Sequence, residues 1–381
     1  MSDSLPDEVV LEILHRLPAK SLIRLRCVSK LWNSRITSPA FITSHLTQSL
    51  SHLSNSNTKI VRYRTISPPV EHYKLFRDEN DSFHQIQQLQ LPVTSHLHHH
   101  FKLIGYVNGL FCLYKQGRFI VWNPSIKKSI TFPKPSIAVY GRVTFRIAFG
   151  FDPRSNDYKV VRIAIPFEEE KPPLVEVYSL NEGSWRITSA GTSLTKGISF
   201  NGWLQPAASL NGAVHFAATD MDNANSSFVL SFDLGDEVFR IISVPNGIFG
   251  DVVQTLVHRG SLSLLCNHNN EFRTNKFCSV WVMKEYGVVD SWTKQFTVDF
   301  NGGMVRVLGL RKNGHILVEA IVRSGWELSS YDPESQQVNN IGIHGMAYDF
   351  HIDNYMESLV MLDKPNDAVS RREVSRKRKC R

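Results

Sequence analysis

Apolar side chains recur at helical spacing only near the amino terminus; beyond about residue 60 they fall into short runs broken by turn residues. Val10, Ile13, Leu14 and Leu17 form one stripe, with Glu12, His15 and Arg16 turned from its centre. Pro6 suits a first helical turn, where a missing N–H costs nothing, and Asp7 and Glu8 put negative charge at the positive end of the dipole. A helix is therefore predicted from near Leu5 to Pro18, which ends it. A second runs from about Ala19, with Leu22, Leu25, Val28 and Leu31 three residues apart and Trp32 just beyond. Ser38-Pro39 marks a break before another short helix over Ala40 to Leu50. A unit of about 40 residues rarely buries enough surface to stand alone without metal, disulfides or a partner. With no metal-ligand spacing and one cysteine, the uncovered part of its stripe is expected to dock a partner, helix in groove, unless the helices merely cap the rest of the chain.

From Phe101 onward the period becomes that of strands. Leu103 to Tyr106, Leu110 to Tyr114 and Phe119 to Trp122 are separated by Asn108-Gly109 and Gln116-Gly117. The same grammar returns around Asn211-Gly212, Arg259-Gly260 and Asn313-Gly314, spaced 48 and 54 residues apart, and Asn108 to Asn211 spans about two such units. A period near fifty with four strands predicts a β-propeller, because sheets packed around an axis bury the faces that one sheet leaves open. A β-sandwich is the alternative. Between residues 50 and 100 the pattern is weak: a Ser- and Asn-rich linker, a strand near Lys59 to Thr65, and little order from Gln85 to Gln90.

Composition adds limits. Hydrophobic residues make up 42% and charged residues 20%, ordinary for a globular chain. No apolar run reaches membrane-spanning length and the start lacks a signal peptide's pattern, so an intracellular protein with no membrane partner is expected. Five scattered cysteines, none in a C-x-x-C pair, argue against a disulfide framework; four sit among apolar residues and read as core side chains. The sequon at Asn225 should then be unused. Of the formal charge of +8, the last eleven residues hold +6, so the excess is a basic tail and not a nucleic-acid-binding face. Within it Arg376, Lys377, Arg378 and Lys379 are a candidate nuclear-import run; a solvated terminus is the plainer reading. His96, His98, His99 and His100 lack a nearby Cys or carboxylate and read as a loop, as does Glu168-Glu169-Glu170. No metal and no cofactor are expected. Nucleophile-elbow, Walker, zincin and dinucleotide motifs are all missing from the sequence, so no catalytic residue is assigned.

The amino-terminal pattern, Leu5-Pro6 through the two-helix spacing to Trp32, resembles an F-box. Phe149-Gly150-Phe151-Asp152-Pro153-Arg154-Ser155-Asn156-Asp157-Tyr158-Lys159-Val160-Val161-Arg162 resembles the hallmark of the plant F-box-associated domain, as do Val177-Tyr178-Ser179-Leu180 with Ser184-Trp185-Arg186, and Val280-Trp281-Val282-Met283 with Ser291-Trp292. Physically these motifs read as scaffold: turn chemistry at Asp152-Pro153 and Asn156-Asp157, an alternating strand after Tyr158, and Trp122, Trp185, Trp281 and Trp292 as core. The resemblance implies a small all-α F-box (1–47), a linker (48–58), an all-β propeller-like domain (59–365) and a basic tail (366–381). It further implies a non-catalytic subunit of a Skp1-cullin-F-box ubiquitin ligase. Leu5, Pro6, Val10, Ile13, Leu14, Leu17, Pro18, Leu22, Leu25, Val28 and Trp32 would serve the Skp1-type adaptor, some at the interface and others holding the helices together. Cullin and RING subunits follow through the adaptor, and the β domain would capture a protein substrate in cytoplasm or nucleus. The similar group includes regulators of immune-receptor abundance and pollen S-locus receptors for a ribonuclease; a non-ligase scaffold or a ligand-binding propeller stay open as alternatives.

Overall fold

The computed structural model describes residues 6–53, 57–79, 82–92, 100–137, 143–166, 172–194, 197–201, 206–222, 226–245, 248, 251–269, 276–300 and 303–364. Four helices open the chain: α1 (Asp7–His15), α2 (Ala19–Leu25), α3 (Lys30–Ile36) and α4 (Pro39–Leu53). Pro6 and Pro18 stand at the N-caps of α1 and α2, and Ser29 caps α3 by accepting from the Trp32 N–H at 3.2 Å. The predicted second helix is thus two helices with a turn over residues 26–29, which takes Val28 out of the stripe. α4 runs on to Leu53, so the first residues of the predicted linker are helix.

The strands make six four-stranded antiparallel blades around one axis. The first three are β1 (Thr58–Arg64), β2 (Glu71–Asp78) and β3 (Phe83–Leu89). Blade 2 is β4 (Lys102–Val107), β5 (Leu110–Lys115), β6 (Arg118–Asn123) and β7 (Lys128–Thr131). Blade 3 is β8 (Val143–Asp152), β9 (Asp157–Pro166), β10 (Leu174–Ser179) and β11 (Ser184–Thr188). In blade 4 the first strand is split into β12 (Ile198–Phe200) and β13 (Ala208–Leu210), both paired with β14 (Ala213–Asp220), and β15 (Ser226–Asp233) and β16 (Phe239–Ser243) follow. Blade 5 is β17 (Asp251–His258), β18 (Ser261–Asn269), β19 (Lys276–Met283) and β20 (Trp292–Asp299); blade 6 is β21 (Met304–Leu310), β22 (Ile316–Val322), β23 (Gly325–Tyr331) and β24 (Val338–Gly345). The last strand, β25 (His351–Asn354), pairs with β1, setting Ile60 opposite Asp353 and Arg62 opposite His351. Blade 1 is therefore built from both ends of the chain, and the ring is closed.

The turns that set the sequence period join the first strand of a blade to its second. Asn108 and Gly109 have φ of 52° and 81°, the geometry that matches a two-residue hairpin to strand twist, and Asn211-Gly212 repeats it. Blade 3 makes the connection with a four-residue turn over 153–156, in which only Asn156, at φ 49°, has a positive φ, and this hid its member of the series from the sequence pattern. In blade 1 no such turn exists, because β25 and β1 lie at opposite ends of the chain. There the sequence reading found β1 but missed β2 and β3; β3 is exposed along most of its length and shows no alternation.

The core is a set of apolar seams between neighbouring blades. Tyr73, Phe111 and Trp122 fill the seam of blades 1 and 2, and Phe119, Phe149, Tyr178 and Trp185 that of blades 2 and 3. Trp292 is buried as expected and Trp281 partly so. Second strands are covered on both faces: β9 is buried from Asp157 to Ala164, so the expected alternation after Tyr158 does not occur. Its Lys159 and Arg162 are accommodated by Asp152, 3.1 Å away, and by Glu176. Cys112, Cys266 and Cys278 are core residues, but Cys27 is exposed in the turn after α2, against the expectation for a side chain among apolar neighbours.

Closure has a second, ionic part. Arg311, just after β21, is buried with its Nε 2.9 Å from Asp78 Oδ1 at the end of β2, and it also donates to the carbonyls of Glu79 and Ser82. Removing one partner strands a buried charge, which costs roughly 3–5 kcal/mol. Asp78→Ala is expected to lower stability by about that amount in urea unfolding, and the double change Asp78→Leu/Arg311→Met to recover most of it.

Buried histidines tie stability to pH. His215, without exposure on β14, has Nε2 2.8 Å from the Tyr286 hydroxyl and Nδ1 3.2 Å from the Ala208 carbonyl. Burial pushes its pKa from 6.5 down to about 4, and the half-buried His351, desolvated among the strands and beside Arg62 and Arg306, falls to about 3. Between pH 6.5 and 4 the unfolded chain binds protons at His215 that the folded chain does not, so this contribution, on the order of 3 kcal/mol, is lost as pH falls through that window. Asp353, pushed up to about 6 by burial, acts in the opposite sense. Urea midpoints of the native chain minus those of His215→Asn should therefore shrink steadily from pH 6.5 to 4; a constant difference would refute the assignment.

Candidate docking surfaces

The helical module has no core of its own. Leu14, Ala19, Leu22, Ile36, Phe41, Ile42 and Leu46 are buried in one cluster with Met356, Leu359, Val360, Met361 and Leu362 and with blades 2 and 3. The segment that follows β25 is thus the seat of the helices. Glu357 Oε2 accepts from the Ala19 N–H at 2.7 Å, supplying the cap that Pro18 cannot give to α2. Asn123, fully buried at the end of β6, fixes the seat by donating to the carbonyls of Ser358 at 3.0 Å and Val360 at 2.9 Å. At the β4–β5 turn a Cβ on Gly109 would stand 2.6 Å from that of Ser358, so glycine is required by the seat as well as by its φ.

Packing on the seat divides the predicted adaptor residues into two groups. Leu14 and Leu22 are 1% and 0% exposed and hold the module together, while Val10, Leu17, Leu25 and Trp32 are partly buried against the same cluster. Pro6, Ile13, Pro18 and Val28 face outward, Ile13 at 47% and Val28 at 67% exposed. Leu5 lies outside the described residues. Two outward apolar side chains were not among the predicted site residues: Val9, 43% exposed, and Leu31, 60% exposed. Their signal was available, since Val9 and Ile13 are one helical turn apart and Leu31 follows Val28 by three residues. The apolar pattern alone could not say which half of it met the propeller. The helices are also tied to one another by Arg35, whose Nη2 is 2.8 Å from Asp7 Oδ2, and by His15, stacked on Phe41 at 4.8 Å.

The second surface is at the other end of the ring. First strands begin at Lys102, Val143 and His351, and near those ends the axis is lined by Lys102, Arg146, His215 and Thr255 on one side and by Arg62, Arg64, His100, Asp349 and His351 on the other. The helices and their seat lie where the first strands end, at the turns of Asn108-Gly109 and Asn123 to Lys128. The strand ends joined by the longest connections, 90–101 and 132–142, are on the channel-mouth side. The hallmark segment around Asp152 does not reach the mouth. Asp152 accepts from Ser155 Oγ at 2.6 Å, and Asp157 from Ser179 Oγ at 2.5 Å, so the motif braces a turn as expected. Burial would raise the Asp152 pKa, but the hydrogen bonds from Ser155 and Lys159 outweigh it and keep the carboxylate ionised.

Among the described residues no three His, Cys, Asp or Glu side chains gather as a metal site would require. His96, His98 and His99, Glu168 to Glu170, Asn225, Cys380 and the run Arg376 to Lys379 lie outside the described residues. No helix is long and apolar enough to cross a membrane among those described.

Comparison with known proteins identifies both parts of the chain. Residues 2–44 match the F-box domain, and residues 64–364 match the F-box associated beta propeller domain. F-box protein CPR1 of Arabidopsis thaliana is 30% identical over 317 residues, covering 77% of this chain and 73% of its own length. An F-box/kelch-repeat protein of the same plant is 27% identical over 339 residues, covering 85% and 87%, and a further F-box protein is 26% identical, covering 96% and 94%. With an F-box seated on one end of a closed six-bladed ring and the associated-domain match running through that ring, the chain belongs to the F-box proteins that carry an F-box associated β-propeller domain.

Proposed function

We propose that this protein is the substrate receptor of a Skp1-cullin-F-box ubiquitin ligase. The observation that carries the reading is the division of the F-box helices: one side is spent on the seat formed by residues 356–362, and Val9, Ile13, Val28 and Leu31 are left apolar and exposed on the other. Such side chains cost free energy in water, about 25 cal/mol per Å² of apolar surface, and a Skp1-type adaptor that covers them recovers it. Cullin and RING subunits then join through the adaptor and bring the ubiquitin-charged E2. The propeller holds the substrate at its far face, and transfer proceeds by raising the local concentration of substrate lysines at the E2 thioester, with no catalytic residue from this chain. Motif resemblance to the group containing regulators of immune-receptor abundance favours a target in plant defence.

Ile13→Asp/Leu31→Asp places charge on the exposed face while leaving the buried Leu14 and Leu22 in place. The full chain carrying it should lose at least thirtyfold in affinity for a Skp1-type adaptor, as expected for central interface positions, and should fail to co-purify cullin while keeping its melting transition. Equal adaptor recovery from both chains would overturn the reading.

The same receptor is proposed to act in nucleus and cytoplasm, with Arg376 to Lys379 as the import run. A chain ending at residue 370 is expected to shift from nucleus to cytoplasm in imaging of a fluorescent fusion; an unchanged distribution would dismiss the run as a signal.

A further inference from the structure

Arg24 and Arg26 stand five and three residues before Ser29. Two guanidiniums at that spacing ahead of a serine suit the acidic substrate cleft of an arginine-directed protein kinase, where each planar fork takes a carboxylate through two hydrogen bonds. Two arginines so placed before a serine occur twice in the chain, and the structure separates the two cases. Before Ser67 the guanidiniums are engaged: Arg62 is buried on Glu71 at 3.0 Å and on Asp349, and Arg64 holds Asp349 at 2.7 Å. Pro68 follows that serine and stiffens the segment a kinase would have to grip.

Before Ser29 they are available. Arg24 is exposed, and neither it nor Arg26 meets an acid among the described residues; Arg26 Nε donates to Asn33 Oδ1 at 2.9 Å. Ser29 itself is exposed, outside the helices and extended, at φ -156° and ψ 163°. The turn that precedes it is held by backbone bonds from Arg26 to Leu22 at 3.2 Å, from Cys27 to Arg24 at 3.0 Å and from Val28 to Leu25 at 3.0 Å. Opening that one turn, at the end of a helix of seven residues, extends the segment from Arg24 to Ser29 and leaves Leu22 in its buried place.

We propose that Ser29 is a phosphorylation site for an arginine-directed serine/threonine kinase, and that its modification closes the outer face of the helices to the adaptor. Ser29 Oγ attacks the γ-phosphorus of ATP, the bond from that phosphorus to the β–γ bridging oxygen breaks, ADP leaves, and the hydroxyl proton passes to the kinase's base. The product sets a charge of about −1.5 to −2 next to Val28 and two residues from Leu31. Those side chains are 67% and 60% exposed and carry the outer apolar face. Covering them would then bury a phosphate in an apolar interface, a desolvation cost that two aliphatic side chains do not offset. The phosphoryl oxygens can take over the bond that Ser29 Oγ accepts from the Trp32 N–H, so α3 stays capped and the buried cluster is left in place. The effect on the adaptor rests on the receptor reading; the modification site does not.

The test incubates the purified full chain with a recombinant arginine-directed kinase and Mg-ATP, locates the phosphate by tandem mass spectrometry, and titrates treated and untreated chains with a Skp1-type adaptor. Phosphate is expected on Ser29, with the rate at that site at least tenfold lower in Arg24→Gln, whose exposed side chain can be changed without touching the buried cluster. The treated chain should bind the adaptor at least tenfold more weakly than the untreated one. Ser29→Asn, which keeps an N-cap acceptor but no hydroxyl, should bind the adaptor equally before and after treatment. Absence of phosphate from Ser29, or an unchanged rate at Ser29 in Arg24→Gln, would overturn the site; equal adaptor affinity of the modified and unmodified chains would overturn the closure. Phosphate on Ser29 of a chain that binds no adaptor even when untreated would remove the receptor reading and keep the modification site.

Discussion

The antiparallel pairing of β25 with β1 is the contact from which the other relations in this molecule follow. A four-stranded blade buries its two faces only between neighbours, so an open ring would leave two apolar faces in water. Closure by the carboxyl-terminal strand covers Tyr73 and Ile60 on one side of blade 1, and Val61 and Tyr63 on the other. It also brings together two parts of the chain that are distant in sequence. α4 ends five residues before β1 and residues 355–362 follow directly on β25, so the strand pair that closes the ring places the F-box beside its seat. Tyr355 N–H donating to the Thr58 carbonyl at 2.9 Å, and the Glu357 cap on α2, are extensions of that same pairing.

Closure gives the molecule two unlike ends. At one, the tight turns after first and third strands offer a flat base, and apolar residues after β25 fill the gap between that base and the helices. At the other, the first strands begin around the channel mouth. The two ends are separated by the height of a blade: six to ten residues of first strand at about 3.3 Å each, or roughly 20–30 Å. Under the receptor function proposed above, a spacer of that height would suit catalysis by proximity, because it would fix the direction in which substrate lysines are offered.

How far this was legible in the sequence depended on whether a residue's role was local. Asn108-Gly109, Asn211-Gly212 and Arg259-Gly260 announce their hairpins because a positive φ at two successive positions restricts residue choice wherever it occurs. In blade 3 the connection is a longer turn over residues 153–156, with a positive φ at Asn156 alone, so the two-residue signal is missing there and the period was harder to see. β3 was invisible because an exposed outer strand needs no alternation, and β9 misled because a strand covered on both faces has none. Among the helices the apolar spacing was plain, but whether Leu14 or Ile13 faced the seat depended on residues 356–362, over three hundred positions away. The exposed Cys27 failed for the same reason: apolar neighbours in sequence say nothing about which of them is covered.

Long-range electrostatics was the least legible of all. Lys159, Arg162, Arg306 and Arg311 each find a carboxylate within their own blade or an adjacent one, and three of these partners lie on a neighbouring strand or hairpin of the same blade. For these residues the fold supplies the compensation that burial demands, and they act as scaffold. Acids are not the only compensation the fold supplies: Lys59 Nζ donates to Asn354 Oδ1 at 2.8 Å and Lys128 Nζ to the carbonyls of Leu362, at 3.4 Å, and Lys364. Arg146 belongs with these, its Nη2 donating to the Phe200 carbonyl at 2.8 Å. A neutral acceptor leaves no complementary charge in the sequence to search for, so such partners could be found only once the blades were in place.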